Sequence, residues 1–271
     1  MIRLPAFFLG KRMLVLIPDM KLISLNIWEG KLYQPLIDFL DKYSPETDIF
    51  CFQEVFRTEA GVRKMNSDKL MTFKILADKL DDFNGYFEDY VATGEYRKEG
   101  LAVFAKKNIK VENEGEIFIY GPPSVGLSND DPKSLWRNLQ YLKCDNRGRE
   151  FLVANVHGLF DFATRTRKDD IPERIEQSHR IKALLNKSDC PKILCGDLNL
   201  WPDTESLKIL EEGMVNLIKE FNIYSTRSDF FQYENKFADY MLVSPEIKVH
   251  DFKVLKEVVS DHLALYLDFE C

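Results

Sequence analysis

The chain has 271 residues, 45% of them apolar, and its 37 Lys and Arg against 44 Asp and Glu leave a formal net charge of −7. That much apolar material supports one large core in a single domain, and the acidic balance excludes a global positive field that would hold polyanions indiscriminately. The cysteines, at 51, 144, 190, 195 and 271, are odd in number and lack paired spacing, which argues against a disulfide framework and for a reducing, cytoplasmic compartment.

The opening MIRLPAFFLGKRMLVLIPDM is broken by Pro5, Gly10, Lys11 and Arg12 into pieces too short for a signal core or a membrane span. No stable membrane association is expected. Residues 1–19 read as an N-terminal extension and 20–271 as the folded, monomeric domain, since Met20 opens the first clear strand pattern. Short runs rich in Val, Ile and Phe then predict strands at 21–27, 48–56, 85–91, 100–107, 134–144, 151–157, 192–197, 238–244 and 262–269. Between them, helical spacing appears at Leu32, Leu36, Phe39, Leu40 and Tyr43, at Leu70, Phe73, Leu76, Leu80 and Phe83, and at Ile171, Ile175, Leu184 and Leu185. Asn146-Arg147-Gly148 predicts a hairpin turn, and Asp203 an N-cap for a short helix. The stretches 108–133 and 213–237 read as loop-rich. The alternation predicts an α/β domain, and so many strands exceed one small sheet.

Several of these apolar runs end in a residue able to bind a metal or a phosphate. Asn26, Glu54, His157 and Asp197 each close a run, and Asp261-His262 opens the last one. In open α/β sheets ligands bind at strand ends, so these side chains are candidates to converge. Glu54 and Asp261 supply the hard oxygen ligands that Mg2+ or Mn2+ prefers, without the Cys/His clustering of a zinc site. A hard cation answers both difficulties of phosphodiester hydrolysis: repulsion of the nucleophile and a poor alkoxide leaving group. Trp28, Phe160 and Trp201, each a few residues beyond a motif, are candidates to stack on a base or to pack in the core. Arg137 is a candidate to face the substrate, and Arg165-Thr166-Arg167-Lys168 to touch phosphate or lie in solvent. His179 and His250 read as surface residues.

LISLNIWEG, FQEVF, VANVHGL, CGDLNLWPD, FADYMLVS and VVSDHLALY, in that order from about Met20 to Phe269, resemble the motifs of the endonuclease/exonuclease/phosphatase family. Histidine at 157 matches the branch with pancreatic-type deoxyribonucleases, sphingomyelinases and tyrosyl-DNA phosphodiesterases. The resemblance implies a four-layered α/β sandwich with two central, mostly antiparallel or mixed sheets flanked by helices. It implies Glu54 as principal metal ligand, Asp261 touching the metal directly or through water, and Asn26 positioning metal or phosphate. Asp197 would orient or deprotonate the attacking water and Asn199 would hold it or a phosphate oxygen. Asp239 would fix the ring of His262, which with His157 would act at the phosphate. Lys236-Phe237-Ala238 departs from the family's usual approach to that aspartate. The implied activity is Mg2+- or Mn2+-dependent phosphodiester hydrolysis, on nucleic acid or alternatively on phospholipid or inositol phosphate. A third reading is a catalytically dead binding module. For the lipid alternative the one candidate docking segment is IFIYGPPSVGL, 117–127.

Overall fold

The computed structural model describes residues 19–58, 72–92, 97–121, 137–160 and 170–271. Its strands are β1 (Met20–Asn26), β2 (Ile49–Thr58), β3 (Phe83–Ala92), β4 (Arg97–Lys106), β5 (Lys110–Tyr120), β6 (Arg137–Asn146), β7 (Arg149–His157), β8 (Lys192–Asp197), β9 (Val215–Asn216), β10 (Asp239–Val243), β11 (Lys248–Val254) and β12 (Leu265–Glu270). They form two six-stranded sheets, ordered β11-β12-β1-β2-β4-β3 and β5-β6-β7-β8-β10-β9. Both are mixed: β1 runs parallel to β2 and β7 parallel to β8, and the other pairings are antiparallel.

Strand alternation decides what each sheet faces. On β1 and β2 the residues Ile23, Leu25, Phe50 and Phe52 pack under α1 (Tyr33–Tyr43) and α2 (Thr72–Lys79), against Leu36, Phe39, Leu40 and Leu76. The opposite parity, including Leu22 and Cys51, joins the other sheet in the larger core, which also takes in Ile181 and Leu185 of α3 (Pro172–Leu185) and Leu207 and Leu210 of α4 (Glu205–Glu211). Helix, sheet, sheet, helix is the expected four-layered order. Cys51 and Cys195 are both fully buried, and burial pushes the Cys51 thiol well up, so it behaves as a packing group. A polar tie crosses between the sheets: Gln53 Nε2 donates to Asn155 Oδ1 at 2.7 Å, and Asn155 Nδ2 donates to the Phe52 carbonyl at 3.0 Å.

Three sequence expectations change. The stretch from 108 contains β5, a polar, half-exposed strand at a sheet edge, and 213–237 contains β9 and the short α5 (Leu217–Glu220). The N-cap of α4 is Thr204, whose side chain accepts from Leu207 N, whereas Asp203 sits at φ 66°. The Asn146 turn is as expected, with Arg147 and Gly148 both at positive φ joining antiparallel β6 and β7. The proposed extension through residue 18, the Arg165 to Lys168 loop and residues 122–127 lie outside the described residues.

Gly196, immediately before Asp197, has φ +133°, and a Cβ there would lie 2.1 Å from the Val156 carbonyl on the parallel neighbour. Only glycine fits both constraints. Gly196→Ala is therefore expected to destabilise the fold by about 2–4 kcal/mol, read as a lowered thermal midpoint. An unchanged midpoint would contradict the close approach of β7 and β8.

Candidate active site

Asn26, Glu54, His157 and Asp197 meet at one end of the paired sheets, where parallel β1 and β2 and parallel β7 and β8 present their C-terminal ends. Asn26, His157 and Asp197 face inward by ordinary alternation. Glu54 does not: strict alternation would place it on the helix side with Phe52. A bulge intervenes, because Phe52 pairs with Ala102 and Val55 with Gly100, leaving Gln53 and Glu54 opposite Leu101 alone. Val55 takes the helix side, and Glu54, at φ 56°, turns into the cleft. Trp28, Glu29 and Asn199 also hold positive φ at this end of the molecule, at 49°, 59° and 52°. Such backbone strain concentrates where function requires it.

Asn26 braces the two carboxylates. Its Nδ2 donates to Glu54 Oε1 and to Asp197 Oδ2, each at 3.1 Å, and its Oδ1 accepts from Trp28 N at 3.0 Å. In this arrangement Asn26 positions both carboxylates, and one lone pair of its Oδ1 is taken by the backbone. Asp197 Oδ1 accepts from Asn199 N at 3.0 Å, and Asn199 Nδ2 donates to the Gly158 carbonyl at 3.0 Å. Arg137 Nε donates to the same carbonyl at 3.1 Å, which brings Arg137 to the cleft wall. Asp197 Oδ2 lies 3.6 Å from His157 Nε2 and 3.5 Å from His262 Nε2.

His262 Nδ1 is 2.9 Å from both carboxylate oxygens of Asp239, so the Lys236-Phe237-Ala238 departure leaves the pairing intact. Burial pushes His262 down to about 4, helped by the Arg227 cation, and pushes Asp239 up to about 7 against the opposing influence of Arg227 and Thr226. His157 is held well below the usual histidine range by burial and then by Arg137. Both rings are thus neutral near pH 7, and the carboxylate of Asp239 selects the His262 tautomer with its proton on Nδ1.

Glu54, Arg137, His157, Asp197, Asn199 and His262 line a cavity of about 500 Å³ whose wall also carries Glu99, Asp261, Arg227 and the rings of Trp28, Phe160 and Phe231. Trp201 does not line it: the residue is 9% exposed, which favours the core reading over stacking on a base.

Residues 23–262 match the Endonuclease/Exonuclease/phosphatase family. The chain belongs to this family. Its members are metal-dependent phosphoester hydrolases, and the fold just described agrees with solved structures of members. The mannosyl-6-phosphatase of Bacteroides thetaiotaomicron superposes with a TM-score of 0.72 at 16% identity, covering 93% of this chain and 100% of that one. A humanized D. rerio TDP2 gives 0.68 at 14% identity, with 93% and 99% covered. In sequence, Protein angel of Drosophila melanogaster is 30% identical over 189 residues, 68% of this chain and 47% of that protein. The chain thus spans about half the length of this curated relative.

For a member of the endonuclease/exonuclease/phosphatase family, the donor set fits a cation. Burial, then the carboxylates of Glu99, Asp197 and Asp261, push Glu54 up to about 8, with the Asn26 amide opposing. Oxygen donors crowded this way need a positive charge among them. Asp197, Asp239 and His262 also place donor atoms within 4.8 Å of one another, but both Asp239 oxygens are engaged by His262, so this trio reads as an orienting chain.

Sequence reasoning missed Thr226, Arg227, Glu99 and Phe231. Thr226 Oγ1 accepts from Asp239 N at 3.2 Å, and Arg227 pairs with His262 as an isolated antiparallel bridge. They lie where the sequence shows only a loop-rich stretch and a strand start, with no apolar run ending in a polar residue to mark them.

Proposed function

We propose that this protein is a Mg2+- or Mn2+-dependent phosphodiesterase acting on nucleic acid, as a nuclease or an end-processing enzyme. The observation that carries the reading is His262, held by Asp239, beside Asp197 in a cleft that joins carboxylates to aromatic rings. Glu54, with Asp261, would hold the cation. When bound, it would polarise a phosphate oxygen and stabilise the departing alkoxide. Asp197 accepts the proton of an attacking water, and Asn199, with Nδ2 fixed on Gly158, offers Oδ1 to hold that water. With its proton on Nδ1, His262 offers Nε2 as an acceptor and shares the attacking water's proton with Asp197. His157 and Arg137 face the phosphate, and electrostatic stabilisation carries most of the rate.

Trp28, Phe160 and Phe231 give the cleft faces on which an unpaired base stacks, which favours single strands over duplex. The net charge of −7 fits local rather than processive binding. Five free cysteines fit a reducing cytoplasmic setting, and among the described residues no helix is long and apolar enough to cross a membrane. The reading includes a monomeric protein.

The test is hydrolysis of single-stranded, duplex and 5′-adducted DNA, RNA, sphingomyelin, inositol phosphates and bis-p-nitrophenyl phosphate, with Mg2+, Mn2+, Zn2+ or chelator. Single strands are expected to be cut fastest and chelator to abolish activity. Trp28→Ala is expected to raise KM by about 5- to 100-fold with a smaller change in kcat. Release of phosphocholine or inorganic phosphate alone would reject the nucleic-acid substrate, and activity with zinc alone would reject the oxygen-ligand assignment.

A further inference from the structure

Arg227 is cationic, 8% exposed, and lines the catalytic cleft. One Nη1 hydrogen bond goes to His262 Nε2. Its nearest carboxylate, Asp261 Oδ2, lies 3.5 Å from Nη1, longer than a good charge-assisted bond. Its Nε has no partner among the described residues. The guanidinium carbon sits 3.9 Å from the centroid of the Phe231 ring, a contact that holds the side chain in place. A structural arginine at this burial would be expected to engage its carboxylate with two parallel bonds. This one is held by a ring and a histidine, with one buried nitrogen unpaired and its far end lining the cleft.

We propose that Arg227 is a phosphate-gripping residue of this site, taking two oxygens of the substrate phosphate on its planar fork. The assignment rests on the phosphoesterase reading above and adds to it the group that recognises the phosphate independently of the metal. In the substrate-free protein its N–H caps His262 Nε2. A phosphate oxygen, as an anionic acceptor, competes for that N–H, and His262 Nε2 is then free to turn to the reacting group. The flanking backbone supports a fixed arrangement: Ser228 N donates to the Asp261 carbonyl at 3.0 Å and Leu263 N to the Thr226 carbonyl at 2.8 Å. Arg227 is therefore carried on the segment that carries Asp261 and His262.

The experiment titrates the wild type, Arg227→Ala and Arg227→Lys with inorganic phosphate, followed by 31P NMR, with Mg2+ and with chelator, alongside thermal melts. Loss of a charge-assisted, two-pronged contact is expected to weaken phosphate binding by about 10- to 100-fold in the alanine variant and less in the lysine variant. Guanidinium chloride at millimolar concentration is expected to restore part of the lost affinity and turnover to Arg227→Ala. A residue that only braces the loop would lower the melting point and leave the phosphate affinity of the folded protein unmoved. Binding within twofold of wild type and no rescue overturn the proposal. If the alanine variant fails to fold, Arg227→Lys and Arg227→Gln carry the same readout. A wild type that binds phosphate through Arg227 yet hydrolyses no ester would sink the phosphodiesterase reading and leave this one standing.

Discussion

Asp239→Asn is expected to lower kcat by about 10²- to 10⁴-fold, as when the orienting carboxylate of a catalytic histidine is replaced by its amide, with little change in KM. Both carboxylate oxygens of Asp239 face His262 Nδ1, and the side chain does not reach the cavity wall. An amide at 239 can donate to Nδ1 and so favours the proton on Nε2, the nitrogen that must keep its lone pair to accept from Arg227 and from the attacking water. Stability should move the other way. Asp239 rises from the usual 3.8 to about 7 on folding, so the folded protein binds more protons than the unfolded chain between those values. Its contribution to stability therefore falls as pH rises through that window, and a neutral amide lacks the penalty. Melting curves and kcat profiles from pH 5 to 9 check both halves. The wild type should lose activity on the acid side as Asp239 takes up its proton, and the asparagine variant should lack that limb. A variant within threefold of wild type at all pH values would show that the pair plays no part in the chemistry.

The second large effect concerns Glu54. Glu54→Gln is expected to weaken Mg2+ binding and to cut activity by at least about 10²-fold, the scale of losing one preorganised electrostatic group. In chelator the same variant is expected to be more stable than the wild type at pH 8. Glu54 rises from 4.5 to about 8 on folding because it is buried among Glu99, Asp197 and Asp261. The folded state again holds the extra proton, and stability declines as pH rises from about 4.5 to about 8 unless a cation replaces it. Metal binding should accordingly release a proton below pH 8, visible as a buffer-dependent heat in titration calorimetry. Differential scanning with and without Mg2+ at pH 6 and pH 8.5 reads the rest: the wild type should gain more at the higher pH, and Glu54→Gln should gain little at either. Equal responses of the two proteins to Mg2+ would remove Glu54 from the metal site.

Much of this protein was decided by short-range sequence. Apolar runs of strand length, helical spacing between them and polar residues closing the runs gave the α/β class and named Asn26, Glu54, His157, Asp197 and His262, because a strand's core face and its end are local properties of the chain. β5 escaped because an edge strand half in water has no reason to be apolar, and Thr204 displaced Asp203 as N-cap because a cap depends on backbone angles at one residue. What only the tertiary structure decided is who meets whom. Glu54 enters the cleft through a bulge that exists only against β4, Trp201 is buried, and Arg227 and Thr226 reach His262 and Asp239 because a loop returns beside the last strand. These are contacts between segments far apart in the chain, fixed by register and packing, and no local pattern of residues encodes the register.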